Sequence, residues 1–279
     1  MKLRRKRKYL QCPKNIKFQK LLPSFQSASR EALFLARILI LNYNKNMKPS
    51  KHKITDPVSI VAHQLKSPLA VIKEYLEALF SGECGRINPL QKEYLSDALE
   101  NVKRMKQNID DLLMVKSAEE GKFKISLKPI SLEEITENVI NNFSIWAKAL
   151  NCQISFKKPE KLPPVLGDAR AIRMVIENLI SNAIKYNRGK GKVEVSITPE
   201  DKVLIFSCRD NGVGIPQKDF KKVFTKFYRS EKAMELDPSG AGLGLYINKI
   251  IIESAGGKIW FSKNKMSGMT FYFSLPIAK

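Results

Sequence analysis

Cysteine and histidine are scarce, at four and two residues among 279. Cys12, Cys84, Cys152 and Cys208 are scattered, with no Cys-x-x-Cys pair and no histidine close by, so neither a zinc site nor a disulfide framework is legible. A chain of this length buries a core without either, and a reduced cytoplasmic setting fits it. Long hydrophobic runs are also missing. The longest, Ala32 to Leu41, is about ten residues and is broken by Arg37, whereas a membrane-spanning helix needs roughly 20. The basic lead-in before it has no small-residue cleavage pattern, which argues against a secretory leader.

Acidic residues run low as well: 27 Asp and Glu stand against 49 Lys and Arg, for a formal charge of +22. The imbalance sits at one end. Residues 1–54 hold 15 of the basic residues and a single acid, Glu31, leaving 34 basic and 26 acidic residues for the rest. A basic N-terminal arm and linker of this kind either contacts anionic surfaces or is a solvated tail. Glu31–Tyr43 reads as a short amphipathic helix, lying on a membrane surface or packing on a protein chain. Through this arm the sequence suggests peripheral membrane association; a nucleic-acid role would rest on the arm alone, and no specific nucleic-acid partner is expected.

Two heptad series follow. Val58, Ala62, Leu65, Leu69, Ile72, Leu76 and Leu79 recur in steps of three and four, as one buried seam of a helix requires. Ser81 to Pro89, with two glycines and a proline, breaks it, and Asn88-Pro89 starts the next helix. Leu95, Ala98, Val102, Met105, Ile109 and Leu112 repeat the rhythm. Residues 55–118 therefore form an antiparallel helical hairpin, which has too little interior to stand alone and is expected to pair as a four-helix dimer.

Beyond Gly121 the periodicity becomes mixed. Phe123 to Leu127 reads as a strand; helices are expected at Leu132–Leu150, opened by a Ser131/Glu134 capping box, and at Ala169–Tyr186. Further strands are expected at Gln153–Lys157, Lys192–Ile197, Val203–Arg209, Lys258–Ser262 and Thr270–Leu275. Irregular alternation of this sort predicts an α/β sandwich over residues 124–279, and an α+β protein as a whole.

Four clusters in this half carry chemistry. Asn178 and Asn182, four apart, project from one helix face, where carboxamide oxygens can ligate Mg²⁺, with Lys185 in reach of a phosphate. Asp210 to Ile215 (DNGVGI) follows a strand. There Gly212 and Gly214 let the backbone approach a planar ring, and the Asp210 carboxylate can accept from an amino group. In Phe224 to Ser230 (FTKFYRS), aromatic residues can anchor a loop and Arg229 can meet a phosphate. Finally Gly240, Gly242 and Gly244 precede an apolar helix, offering N–H groups to phosphates. About 25 residues between the second and fourth clusters have the length of a functional lid.

In this order the four clusters closely resemble the N, first-glycine, F and second-glycine boxes of the histidine-kinase ATPase family, over roughly Ser126 to Lys279. The resemblance implies a Bergerat-type ATP site: Asn178, Asn182 and Lys185 toward Mg²⁺ and phosphates and Asp210 on adenine. Tyr186, Gly212, Gly214, Ile215, Phe227, Arg229, Gly240, Gly242, Leu243, Gly244, Leu245 and Thr270 would complete it. HQLKSPLAVIKEYLEAL, from His63, is similar to the family's H box, with Pro68 five residues on. His63, off the heptad seam, would then be the phosphoacceptor for ATP. A homodimer and a response-regulator receiver aspartate as the next acceptor are implied with it.

Two positions depart from the family pattern. Gln64 stands where members usually carry Glu or Asp, and an amide cannot take the imidazole proton that a carboxylate can, so autophosphorylation would be slower. Ser67 stands where many have Asn or Thr to orient a water, which bears on dephosphorylation of the partner. A silenced, ATP-binding regulatory dimer is the alternative these two positions leave open. A gyrase-like ATPase reading would need a water-activating Glu at position 178, where this chain has Asn178 with Glu177 one step aside.

Overall fold

The computed structural model describes residues 57–82, 84–158, 161–187, 189–238 and 240–278. The basic arm, the Glu31–Tyr43 segment, Cys12 and Ser239 lie outside the described residues. No described helix is long and apolar enough to cross a membrane.

Helices α1 (Pro57–Ser81) and α2 (Pro89–Glu119) form the hairpin. Asn88 caps α2 through a reciprocal capping box with Gln91, each side chain bonding the other's backbone N–H at 2.8 Å. Ala62, Leu69, Val102 and Ile109 are buried between the helices, with Leu65, Leu76 and Leu113 packed against them. Ile72, Leu79 and Met105, expected in the seam, are instead exposed at 46%, 39% and 51%. Two helices share one narrow seam, and it cannot cover a full heptad face of both. Lys116 donates to Ser59 at 2.8 Å and Lys66 pairs with Asp110 at 2.5 Å, which fixes the helices' register.

The second half is a two-layer body. Strand β1 (Lys128–Ile130) pairs antiparallel with β3 (Val165–Gly167). The run Phe123–Leu127 is not a strand: it finds no pairing partner, and Phe123 and Ile125 rest on the core as irregular chain. The main sheet takes β2 (Cys152–Lys157), β4 (Gly191–Glu200), β5 (Val203–Asp210), β6 (Lys258–Lys263) and β7 (Met269–Pro276) in the order β2-β4-β5-β7-β6. Only β2 with β4 is parallel. Three helices, α3 (Leu132–Ala149), α4 (Ala169–Lys185) and α6 (Gly244–Ser254), cover one face.

Strand alternation makes the core. Val193, Val195 and Ile197 of β4 point inward with Leu204, Phe206 and Cys208 of β5, and Phe206 stacks on Phe273 at 4.7 Å between centroids. Ile172, Val175, Ile176, Leu179 and Ile180 of α4 meet them, every one at most 2% exposed. Ser131 caps α3 by accepting from the Glu134 N–H, one half of the expected box. Asp168 caps α4 through the Arg170 and Ala171 N–H groups, and its second oxygen accepts from Ser126. A short helix α5 (Glu231–Leu236), absent from the sequence-based expectation, lies in the long loop between β5 and α6.

Candidate functional site

The cap at Asp168 and the apolar stripe of α4 set its rotation, so the polar residues Asn178, Asn182 and Lys185 emerge together along one wall of a cleft. The cleft encloses about 920 Å³, within the range of small-molecule sites. Asp210, Gly214, Ile215 and Met269 line one part of it; Gly240, Gly242, Leu243, Gly244 and Leu245 line another. Tyr186 and Arg229 complete the set brought together from the sequence-based site.

The two asparagines are not equivalent. Asn182 donates its amide to Asn178 Oδ1 at 3.4 Å, while a Cβ on Gly244 would stand 2.6 Å from that oxygen. Gly244 is therefore a close-approach position, and Asn178 is wedged against the start of α6 with its own Nδ2 buried and unpartnered. The Asn182 carbonyl oxygen is the one left for a ligand.

Asp210 ends β5. Its Oδ1 accepts from the Gly212 N–H at 2.8 Å and the Met269 N–H at 3.2 Å, leaving Oδ2 for a partner in the cleft. Burial pushes its carboxyl above the usual carboxylate range, with those two N–H groups working against the rise. Asn211 holds the adjoining turn, accepting from the Lys192 N–H at 2.7 Å and donating to Lys190 O at 3.1 Å.

Five expectations need correction. Arg229 does not extend toward an open phosphate position: it donates to the carbonyls of Ala233 (2.9 Å), Pro238 (3.3 Å), Asp237 and Gly240 (2.8 Å), binding the lid to itself. Lys185 leans the same way, 3.5 Å from the Asp237 carboxylate. Phe227 is 62% exposed with φ 61° and does not line the cleft; it is its backbone, in the left-handed region, that packs against Gly242. Thr270 is on the opposite face of β7 from Met269 and Phe271, which do line it, because neighbouring strand residues point to opposite sides. Gly212 also stays out of the lining; it lies under the Tyr186 carbonyl, where a Cβ would collide.

An aromatic group anchors the lid's base: Phe220 and Phe224 pack on Phe261, and Phe224 on Phe271. Farther along, Lys226 pairs with Glu119 of α2 and sits over the Tyr246 ring.

One wall was not anticipated. Glu100, Arg104, Gln107, Asn108 and Asp111 of α2 also line the cleft. Gln107 donates to Asp111 at 2.7 Å, and burial raises the Asp111 carboxyl. Their spacing of three and four along α2, opposite its buried stripe, was the available signal. His63 is exposed on α1; the Ser59–Lys116 and Lys66–Asp110 contacts put it roughly level with Leu112 and Leu113, within about half a turn of Asp111 along the axis. Gln64 is half-buried and Ser67 exposed.

Comparison with known proteins gives residues 167–279 as a match to the family model "Histidine kinase-, DNA gyrase B-, and HSP90-like ATPase" and residues 55–121 as a match to "His Kinase A (phospho-acceptor) domain". The sensor histidine kinase WalK of Bacillus subtilis (strain 168) is 33% identical over 221 residues, 78% of this chain and 36% of that protein. The sensor protein kinase WalK of Staphylococcus aureus is 31% identical over 223 residues, 78% of this chain and 52% of that one. The chain thus spans about a third to a half of the length of these relatives. Among solved structures, full-length ShkA in complex with AMPPNP shares the fold at a TM-score of 0.64 and 24% identity, over 80% of this chain and 46% of that one.

Proposed function

Taking as premise that the chain belongs to the histidine kinase family, we propose that it transfers the γ-phosphoryl group of ATP to His63 and then to an aspartate of a response-regulator receiver domain. The observation that carries this is the cleft itself: paired asparagines, a buried carboxylate with one free oxygen and a glycine lid share one cavity, in one compact unit with the exposed His63.

Asp210 Oδ2 would accept from the adenine amino group. The segment 240–244 lines the cleft at the N-terminus of α6, where its backbone N–H groups would meet the triphosphate. The donor set suits Mg²⁺, a hard cation that takes oxygen ligands, with Asn182 as ligand and Asn178 as its brace; when bound, the ion would neutralise phosphate charge. In the transfer an imidazole nitrogen lone pair forms the P–N bond as the bond from γ-phosphorus to the bridging oxygen breaks and ADP leaves. The imidazole proton then goes to solvent, because Gln64 has no basic site for it. Glu177 does not line the cleft, which disfavours the hydrolytic alternative.

Pairing of two chains through the hairpin is part of this reading. Val61, Val71, Tyr75, Tyr94 and Met105 are 44–69% exposed on a stem that buries few residues by itself.

Incubating the full chain with γ-labelled ATP and Mg²⁺ should give a protein label stable in base and labile in acid, absent from His63→Ala. A label that persists in that variant rejects His63 as acceptor. No label in the wild type, with ATP still bound, would leave the regulatory-dimer reading.

A further inference from the structure

The turn between β6 and β7, residues 264–268, lies 54 positions from Asp210 in sequence yet presses against it. Gly268 (φ 80°) has no room for a Cβ, because the Asp210 carbonyl occupies that position. Asn264 closes the turn, its N–H donating to Gly268 O at 3.2 Å. Its side chain works in both directions. Nδ2 donates to Asp210 O at 2.7 Å, and Oδ1 accepts from the Thr270 hydroxyl at 2.6 Å. Ser267 adds a separate tie to Asn211 O at 3.2 Å.

We infer that Asn264 is a positioning residue for purine selection: by locking Asp210 and the β6–β7 turn together, it keeps the Met269 N–H on Asp210 Oδ1 and so aims Oδ2 into the cleft. This rests on the ATP reading above and names what in this chain discriminates between purines. An ionised carboxylate only accepts hydrogen bonds. It therefore favours adenine, whose position 6 carries an amino donor, over guanine, whose position 6 carries a carbonyl. Discrimination of that type is large when the site's polar group is fixed and has nothing else to bond, and it fades when the group can turn away or admit water. Two N–H groups fix Asp210 Oδ1, and one of them, from Met269, belongs to the segment Asn264 ties down. Thr270, on the far side of the sheet from the cleft, thus serves by holding the Asn264 amide.

The test is calorimetric binding of ATP and of GTP to the full chain. Asn264→Ala should weaken ATP by about tenfold and leave GTP nearly unchanged, so that the ATP/GTP ratio falls by about the same factor. Thr270→Val, which keeps the bond to Asp210 but frees the other end of the amide, should lower the ratio less, and it decides the matter if Asn264→Ala does not fold. Ser267→Ala loosens the same turn without touching Asp210 and should leave the ratio alone. An unchanged ratio in both Asn264→Ala and Thr270→Val overturns the inference, as does an equal fall in Ser267→Ala, which would make Asn264 a turn stabiliser only. A wild-type chain that binds neither nucleotide overturns the ATP reading as well, and that result is read before any variant.

Discussion

Replacing Arg229 with alanine removes four hydrogen bonds from one stretch of chain. The guanidinium reaches Ala233 O at 2.9 Å, Gly240 O at 2.8 Å, Pro238 O at 3.3 Å and the Asp237 carbonyl, gathering the second half of the lid onto a single planar group. Bonds from a charged donor contribute about 1.5–3 kcal/mol each when well formed. Two of the four are half-buried and two exposed, so roughly 2–3 kcal/mol of local stability for the lid is the reasonable sum. By the tenfold-per-1.4 kcal/mol rule, amide exchange should accelerate by roughly 30- to 150-fold. The amides to follow are Met234 and Asp237, which bond to Ser230 O and Ala233 O inside the lid; those of β4 and β5 serve as controls. Arg229→Lys should behave like alanine, since one ammonium cannot reproduce the fork that meets carbonyls from Ala233 to Gly240 at once. Lid protection within threefold of wild type in Arg229→Ala, or full protection in Arg229→Lys, would refute the clamp.

Two carboxylates predict opposite pH responses. Burial raises the Asp210 carboxyl above its ordinary value of 3.8. ATP affinity should therefore decline on acidification at a pH where an exposed aspartate is still ionised, as the protonated oxygen stops accepting from the base. Asp210→Asn should bind weakly, by tenfold or more, and titration calorimetry should find it nearly flat over that range. The same raised value means that Asp210 costs the empty fold stability above its own pKa and returns it on acidification. For Asp168 burial acts upward too, but the Ser126, Ala171 and Arg170 N–H groups outweigh it and hold the carboxyl below 3.8. Its stabilisation is present above 3.8 and is lost as pH falls below that. Asp168→Ala should cost about 1 kcal/mol at neutral pH by thermal unfolding, the difference from wild type vanishing in strong acid.

Much of this architecture could be read from the chain because it is enforced locally. Asn88, Ser131 and Asp168 each satisfy N–H groups two or three residues on, so the helix starts were visible as short patterns. The strands were visible as alternation, and the cleft as glycines beside amides and a carboxylate. Alternation also held the answer on Thr270: with Met269, Phe271, Phe273 and Leu275 apolar, that hydroxyl had to face away. Other features had no local trace. The four lid acceptors of Arg229 are backbone carbonyls, which every residue possesses, so no composition marks them. Asn264 meets Asp210 only because β5 and β7 are neighbours in the sheet. The exposure of Ile72, Leu79 and Met105 is a matter of how many helices share the stem, which a heptad pattern does not count.

Helix α2 serves two masters. Val102 and Ile109 belong to the stem's small core, whereas Val115, less than two turns farther on and 3% exposed, is sunk in the core of the sheet body. A body that swings away from its stem must first pull Val115 into water, at about 1.5 kcal/mol for a valine, and must part Lys226 from Glu119. The stem and the body are therefore geared together along the last turns of α2 rather than joined by a slack tether, and a twist entering at Pro57 has a mechanical route to the lid through the Glu119–Lys226 pair.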